Sequence, residues 1–278
     1  MRDALVPGPR QPPGWRDHLI TFFRRKNWRG FVRLYDFFKP IEGRRSLRVA
    51  TRYGTQFFLT PWDSVDDHVL RDGFYESEVL EAVRPFLSAN AVLWAVGANF
   101  GLHAITAKWL HPETRVIAFE PLPAMAARLL DNCELNAVEV ELHAFALADR
   151  AGAQPFFVND SGNPGQSTLH ADASVRYDRR FTVATLTGAE IIDCGQAPPP
   201  TAMIVDVEGA ELEVLRGLGA HLSATTLRAF VFEAPNDFLE RREPADLHET
   251  VTAAGFRLRK LERREQTAHR LSNFLAQR

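Results

Sequence analysis

Short apolar runs alternate with helical patterns along most of the chain. Val92–Val96 and Arg115–Phe119 are brief and apolar, which is typical of strands buried on both faces of a parallel sheet. Between them, apolar residues recur at helical spacing over Leu102–Leu110, and Pro112 follows. The pattern predicts a strand, a glycine-containing turn, a helix and a second strand, the repeating unit of α/β folds.

The same alternation continues towards the C-terminus. Further strands are predicted at Val138–Leu147, Ala202–Val207 and Leu227–Phe232, and helices at Leu122–Asn136, from Glu208 onwards and at Ala245–Gly255. In the first of these helices, Met125, Leu129 and Leu130 are predicted to face the sheet. Phe256–Leu261 and Leu271–Leu275 are predicted to close the sheet as an antiparallel pair. We therefore expect an α/β fold with a mostly parallel sheet and a terminal antiparallel strand.

Residues 1–62 are predicted to be an N-terminal extension of a domain over residues 63–278. The extension would comprise a disordered start, one or two basic aromatic helices within residues 15–39, and a β-hairpin over Ser46–Leu59. Asp63–Leu87 is predicted to be helical in two pieces, broken near Gly73. Three roles are open for the basic aromatic helices: a cap on the larger domain, a peripheral membrane or protein contact, or binding of an acidic acceptor.

The turn after the first strand carries candidate ligand chemistry. Gly97 and Gly101 lack a Cβ and would let a ligand approach the backbone, while the helix start would offer unpaired N–H groups. Glu120 ends the second strand about twenty residues further on, where a carboxylate can accept ribose hydroxyls. An adenosine-type cofactor is therefore predicted. Asn99 and Leu102 stand where a dinucleotide fingerprint needs glycine, which disfavours a nicotinamide cofactor.

The segments GANFG, AFEP and VDVEGAELEVLRG together resemble the FkbM family of S-adenosylmethionine-dependent methyltransferases. The resemblance covers roughly Asp67 to the C-terminus, and VDVEGAE is its most specific part. It implies a Rossmann-like class I methyltransferase fold. It also implies S-adenosylmethionine as cofactor and, usually, methyl transfer to a hydroxyl oxygen of a sugar or natural product.

The resemblance further implies the site residues. Cofactor contacts would come from the turn after the first strand and from the ends of the second and third strands, namely Gly97, Ala98, Asn99, Phe100, Gly101, Glu120, Pro121 and Ala146. Asp206 and Glu208 would face the reaction centre as catalytic residues, where a carboxylate can orient a cation or act as general base. The alternative for these two acids is capping of the helix that follows them.

Three positions depart from the family pattern. Ala95 stands where the family has an acid that helps to hold the methionine end of the cofactor, and losing a charge-assisted hydrogen bond costs about 1.5–3 kcal/mol. Ile204 replaces a usual Lys, and Thr187 replaces a frequent Asp. The second hypothesis is therefore a catalytically weakened or inactive relative that keeps the fold as a binding or partner module.

The acceptor is expected to be a small molecule or a saccharide. A long polar stretch between the predicted strands QPFFVND and RFTVATL would overhang the site, and Asn163, Ser167 and His170 are candidate acceptor contacts. The family resemblance also places the segment Phe74-Tyr75-Glu76 close to the cofactor, and the alternative is that Tyr75 only covers the edge of the sheet. Glu233 is expected at the same carboxyl edge of the sheet.

Composition narrows the remaining classes. The formal net charge of −2 argues against bulk nucleic-acid binding. Neither Cys133 nor Cys194 belongs to a metal-binding spacing, so no metal site is predicted, and a disulfide framework is not expected. No apolar run is long enough to cross a bilayer and no secretory signal is recognised, so a cytoplasmic location is expected.

Overall fold

The computed structural model describes Tyr35 and residues 46–61, 63–159, 167–171, 175–262 and 271–278. The chain divides into two compact units, Met1–Tyr75 and Glu76–Arg278. Of the predicted helices within residues 15–39, Tyr35 is helical and buried and the rest lie outside the described residues. The boundary predicted at residue 62 stays a prediction.

In the first unit, a hairpin is followed by a helix. Strands β1 (Leu47–Ala50) and β2 (Gln56–Leu59) pair antiparallel, and Gly54 in their turn has φ 92°. Helix α1 (Ser64–Asp72) ends at Gly73, whose left-handed φ of 84° lets its N–H bond back to Val69. The predicted hairpin and the predicted helix break at Gly73 are confirmed.

The second unit contains the remaining described strands. These are β3 (Val92–Val96), β4 (Arg115–Phe119), β5 (Glu141–His143), β6 (Ala146–Leu147), β7 (Gly152–Val158), β8 (Arg179–Leu186), β9 (Ala202–Val205), β10 (Ala229–Pro235), β11 (Arg257–Lys260) and β12 (Leu271–Gln277). One sheet has seven strands in the order β11-β12-β10-β9-β3-β4-β5. Strand β12 runs antiparallel to both neighbours, whereas β10, β9, β3, β4 and β5 are parallel.

This order confirms the predicted Rossmann-like sheet of the class I methyltransferase fold, closed by an antiparallel strand. The chain moves outward from β3 through β4 to β5 and then returns to β9 on the other side of β3. The carboxyl ends of β3 and β9 therefore lie side by side at a switch in strand order. Ligands bind at such switches in open α/β sheets.

Helices cover both faces of this sheet. They are α2 (Ser77–Val83), α3 (Leu102–Leu110), α4 (Pro123–Asn136), α5 (Gly188–Asp193), α6 (Glu211–Gly217), α7 (Phe238–Arg241) and α8 (Ala245–Ala253), with 3-10 turns at Arg84–Phe86 and Gly219–Ser223. One face buries alternate residues of the central strands, including Trp94, Phe119 and Phe232, against the apolar sides of α5, α6 and α8. The fully buried Trp94 indole also donates to the Pro198 carbonyl, so its polar edge is satisfied.

The predicted third strand over Val138–Leu147 is wrong as a single element. It divides into β5, at the edge of the seven-stranded sheet, and β6, which pairs with β8 in a separate three-stranded sheet of order β6-β8-β7. Ala144, between the two pieces, is exposed. A change of sheet leaves the apolar alternation intact on either side, so the pattern alone does not reveal the break.

Helices α3 and α4 each leave one large apolar residue exposed. Leu130 of α4 is 53% exposed and Trp109 of α3 is 44% exposed. On α4 the buried stripe runs through Met125, Leu129 and Cys133 at four-residue spacing, and Leu130 lies one position off it. The prediction that Leu130 faces the sheet is therefore wrong.

Thr187, one of the departures from the family pattern, begins helix α5. Its Oγ1 accepts from the Glu190 N–H at 3.1 Å, and its own N–H donates to Glu190 Oε2 at 3.0 Å. This reciprocal pair is a capping box. Thr and Asp both serve well at this position, so replacing one by the other leaves the helix start satisfied.

We predict that Thr187→Ala lowers the free energy of unfolding by about 1 kcal/mol, because the side-chain acceptor of the cap is lost. Thr187→Asp should stay close to wild type, since Asp caps equally well. Urea unfolding of the three proteins measures this. Equal losses in both variants would contradict a capping role.

Candidate functional site

In the turn between β3 and α3, which we call the first turn, backbone N–H groups donate hydrogen bonds to acceptors within the protein. The N–H groups of Gly97 and Ala98 donate to the Phe119 carbonyl at 2.9 and 3.1 Å, and the Gly101 N–H donates to the Ala98 carbonyl at 2.9 Å. The Phe100 N–H donates to the Asn99 side-chain oxygen at 2.8 Å. The N–H groups of the turn itself are therefore bonded within the protein, because its left-handed residues fold the amides back, while the predicted unpaired N–H groups at the start of α3 stay a prediction.

The two glycines of the turn are required by packing within the protein. A Cβ on Gly97 would lie 1.8 Å from the Asp206 carbonyl oxygen, and one on Gly101 would lie 2.9 Å from Leu129 Cγ. Both residues also have positive φ, of +76° and +90°. We expected these glycines to leave room for a ligand. In the structure, the space that a Cβ would take is occupied by the end of β9 and by helix α4.

Glu120 lies at the end of β4 and is buried. Its Oε2 accepts from the Asn99 N–H at 2.7 Å, and its Oε1 accepts from the Leu122 N–H at 2.8 Å. Burial raises the pKa of this carboxyl to about 7, outweighing the opposite effect of the two amides. Each carboxylate oxygen has two lone pairs, so Glu120 can accept further hydroxyls while it ties the two strand-end turns together.

The other predicted cofactor residues differ in exposure. Ala98, Asn99 and Pro121 are partly exposed at the ends of β3 and β4. The Phe100 side chain is buried, with the Arg128 guanidinium 4.7 Å from its ring centroid, so it serves packing. Ala146 is buried in the three-stranded sheet. The structure thus brings the first turn, Glu120 and the end of β9 together, and places Ala146 in the neighbouring sheet.

Five carboxylates interact at the carboxyl ends of β9 and β10. Asp206 feels the charges of Glu208, Glu233, Glu76 and Glu211. They come from different elements: Asp206 follows β9, Glu233 lies in β10, and Glu76 precedes α2 with a left-handed φ of 49°. We call these five residues the acidic group. The sequence pattern pointed to Asp206, Glu208 and Glu233, but not to the meeting of all five carboxylates, since Glu76 lies far from the others in the chain.

Desolvation and neighbouring like charges favour the protonated forms of Asp206 and Glu208. Desolvation, and then the Glu208 and Glu233 charges, raise the pKa of Asp206 well above its usual range. The Asp206 side chain is nevertheless exposed to solvent, and water at this edge moderates that rise. Desolvation and the Glu233 charge raise the pKa of Glu208 to about 8. Glu208 can therefore release or take up a proton near neutral pH, as a general base must.

Glu211, the first residue of α6, bonds back to the loop that precedes the helix. Glu211 Oε1 accepts from the Gly209 N–H at 3.2 Å and the Val207 N–H at 3.4 Å, and the N-cap residue Ala210 makes no side-chain cap. The helix predicted to begin at Glu208 starts only at Glu211, because Glu208 and Gly209 have φ of 53° and 100°. The capping alternative for Asp206 and Glu208 is not what the structure shows.

A short polar segment fastens onto this stretch. Thr168 Oγ1 donates to the Glu208 carbonyl at 2.8 Å, and the His170 ring lies 2.8 Å from Glu213 Oε2. The Ser167 hydroxyl accepts from the Asn159 N–H at 3.4 Å. Asn163 lies outside the described residues. Acceptor contacts by Ser167 and His170 stay predictions.

Ala95 and Ile204, two departures from the family pattern, are neighbours. They pair in register on the parallel strands β3 and β9, and both are buried. Ala118 lies on the other side of Ala95. The acid and the lysine of the family pattern would thus stand side by side here, and this chain replaces both with apolar residues.

In the part of the chain that the structure describes, no set of three or more His, Cys, Asp or Glu side chains is arranged to hold a metal ion. Within the same residues, no helix combines the length and apolarity needed to cross a bilayer.

Comparison with known proteins places residues 95–258 in a family model described as the methyltransferase FkbM domain. The hexuronic acid methyltransferase AglP of Haloferax volcanii is 28% identical over 186 residues, covering 66% of this chain and 74% of that protein. Methyltransferase 1 of Beauveria bassiana is 32% identical over 156 residues, covering 49% of this chain and 61% of that protein.

Among solved structures, the chain is similar to methyltransferase FkbM from Methylobacillus flagellatus KT. The identity is 15% and the TM-score 0.46, and the match covers 69% of this chain and 44% of that chain.

We predict that the protein loses stability as pH rises from about 4.5 to about 8. Glu208 and Glu120 have folded-state pKa values of about 8 and about 7 against an ordinary 4.5, so the folded state binds more protons across this window. Glu208→Gln should flatten the fall in unfolding midpoint between pH 6 and 8. Glu240→Gln, at an exposed position on α7, is the control. A slope unchanged by Glu208→Gln would contradict the assignment.

We also predict energetic coupling between positions 95 and 204. Ala95→Asp alone should lower the free energy of unfolding by about 2–5 kcal/mol, because it buries an unpaired carboxylate. Ala95→Asp combined with Ile204→Lys should recover at least half of that loss by pairing the two charges. A double-mutant cycle in urea measures the coupling. Additive losses would show that the two side chains do not meet.

Proposed function

The chain belongs to the FkbM methyltransferase family, and on this premise we propose that it transfers a methyl group from S-adenosylmethionine to a hydroxyl oxygen of a saccharide or natural product. The observation that carries the proposal is the acidic group beside the first turn and Glu120. The hexuronic acid specificity named for the Haloferax volcanii relative supports a saccharide acceptor.

The charges of the site fit this cofactor. Its methionine end carries an ammonium and a sulfonium against one carboxylate, so its net charge is positive. The acidic group, with Asp206 exposed to solvent, offers the opposite sign. Glu120 keeps lone pairs for ribose hydroxyls. The amides of the first turn are already bonded within the protein, so the cofactor carboxylate must find another partner or water.

In this proposal S-adenosylmethionine supplies an electrophilic methyl group, and the protein supplies position and a proton acceptor. Glu208 takes the proton that the acceptor hydroxyl loses, which its raised pKa of about 8 favours. Asp206 faces the cationic end of the cofactor. Thr168 restrains the Glu208 main chain, so the base is held in one place while the acceptor is aligned.

A second candidate is a relative that binds the cofactor weakly or serves as a partner module. Two observations favour it. The apolar pair Ala95 and Ile204 replaces a charged pair of the family pattern, and N–H groups of the first turn already donate to acceptors within the protein. Cofactor affinity separates the two candidates, because the module predicts weak or absent binding.

We predict that S-adenosylmethionine binds more tightly than S-adenosylhomocysteine, and that the preference grows by about fivefold between pH 6.5 and 8.5. The two ligands differ by the positive charge on sulfur, and deprotonation of Glu208 adds a negative charge beside it. Calorimetric titration of both ligands at each pH measures this. Glu208→Gln should reduce the pH dependence while retaining binding, because Asp206 still titrates beside the sulfur.

No binding of either ligand up to millimolar concentration would contradict the proposed function. Methyl transfer is then tested with labelled S-adenosylmethionine and a panel of neutral sugars, uronic acids and hydroxylated natural products. Glu208→Gln should lower kcat by about a hundredfold or more. An unchanged kcat would rule out Glu208 as the base while leaving cofactor binding in place.

A further inference from the structure

We propose that Asn132, on helix α4, is a positioning residue that fixes the first turn in the shape that binds the cofactor. It acts through the protein backbone and not through a contact with the ligand. The identity of the ligand rests on the proposed function, whereas the positioning rests on contacts within the protein.

The contact lies where the turn is easiest to distort. The Asn132 side-chain amide donates to the Phe100 carbonyl at 3.0 Å. That carbonyl belongs to the peptide between Phe100 and Gly101, and the residues on either side of Phe100 have left-handed φ, 51° at Asn99 and 90° at Gly101. A glycine-containing peptide in a tight turn has more than one accessible orientation. A fixed donor on a helix selects one of them.

The same peptide connects Asn132 to Glu120. If the Phe100–Gly101 peptide turned over, the Gly101 N–H would leave the Ala98 carbonyl, to which it donates at 2.9 Å. The Ala98 carbonyl belongs to the same peptide group as the Asn99 N–H, which donates to Glu120. The peptide orientation that Asn132 selects therefore affects the hydrogen bond to Glu120, the residue that we propose binds the ribose.

Burial makes this bond costly to lose. Asn132 is fully buried, so no water replaces its amide at the Phe100 carbonyl. The nearby Asn136, on the next turn of α4, is also buried, but its side-chain amide donates to the Asn132 main-chain carbonyl. Both residues are buried asparagines on α4. They differ in the carbonyl to which the side-chain amide donates, that of Phe100 for Asn132 and that of Asn132 for Asn136. Asn136 is therefore the matched control.

The test compares Asn132→Asp with Asn136→Asp. Each change keeps the shape of the side chain and replaces its N–H donor by oxygen. Three quantities are measured: the dissociation constant for S-adenosylhomocysteine by calorimetry, the unfolding midpoint in urea, and hydrogen exchange of the Asn99 and Gly101 amides. Both variants should lose stability. Only Asn132→Asp should weaken binding, by about tenfold or more, and speed exchange at both amides.

Equal loss of affinity in the two variants, or unchanged affinity and exchange in Asn132→Asp, would overturn the proposal. If the wild-type protein binds no S-adenosylhomocysteine, the proposed function fails, and amide exchange alone still decides whether Asn132 positions the turn. Should Asn132→Asp fail to fold, Asn132→Ser replaces it, because its side chain is neutral and shorter. The same outcomes then apply.

Discussion

The candidate site depends on the two hydrogen bonds that the buried Glu120 carboxylate accepts from the backbone. Parallel strands are held together by ladder bonds only along their length, and the turns beyond their ends need another tie. Glu120 provides it by accepting from Asn99 in the turn after β3 and from Leu122 after β4. Burial raises the pKa of the Glu120 carboxyl to about 7, so the group that joins the two turns changes its ionisation close to neutral pH.

A second constraint joins the first turn to the acidic group. Gly97 lies so close to the Asp206 carbonyl that any side chain would collide with it, so the ends of β3 and β9 have a fixed separation. The strand order already places these ends together, and the glycine sets their distance. Like charges gathered there oppose folding, and a folded chain that tolerates such repulsion usually uses it at a functional site.

The sequence predicted those parts of the fold that depend on local pattern. The observed bounds of β3, at Val92–Val96, and of β4, at Arg115–Phe119, agree with the apolar runs. The break near Gly73 was also predicted, and the structure gives its physical reason, since Gly73 ends the helix with a left-handed φ. The division of the third strand was not predictable, because the pattern of apolar residues does not record which sheet a strand joins.

The candidate site was predictable in its residues and not in its contacts. GANFG and VDVEGAE identified the two segments, but the pattern does not reveal that the Gly97 and Ala98 N–H groups donate to the Phe119 carbonyl on the neighbouring strand. The same holds for Asn132, which reaches Phe100 from another helix, and for Glu76, which joins the acidic group from the start of α2. Tertiary contacts of this kind appear only once the sheet has brought distant segments together.

The departures at Ala95 and Ile204 take on a different meaning beside the acidic group. In the sequence they suggested lost catalysis, because each removes a charged residue of the family pattern. In the structure they are adjacent, so the two charges are lost together and the sheet itself carries no unpaired charge at this point. A lysine at 204, two residues before Asp206, would also have offset the acids. Without it, the compensating positive charge must come from protons or from a bound cation, and S-adenosylmethionine is a ligand of that sign.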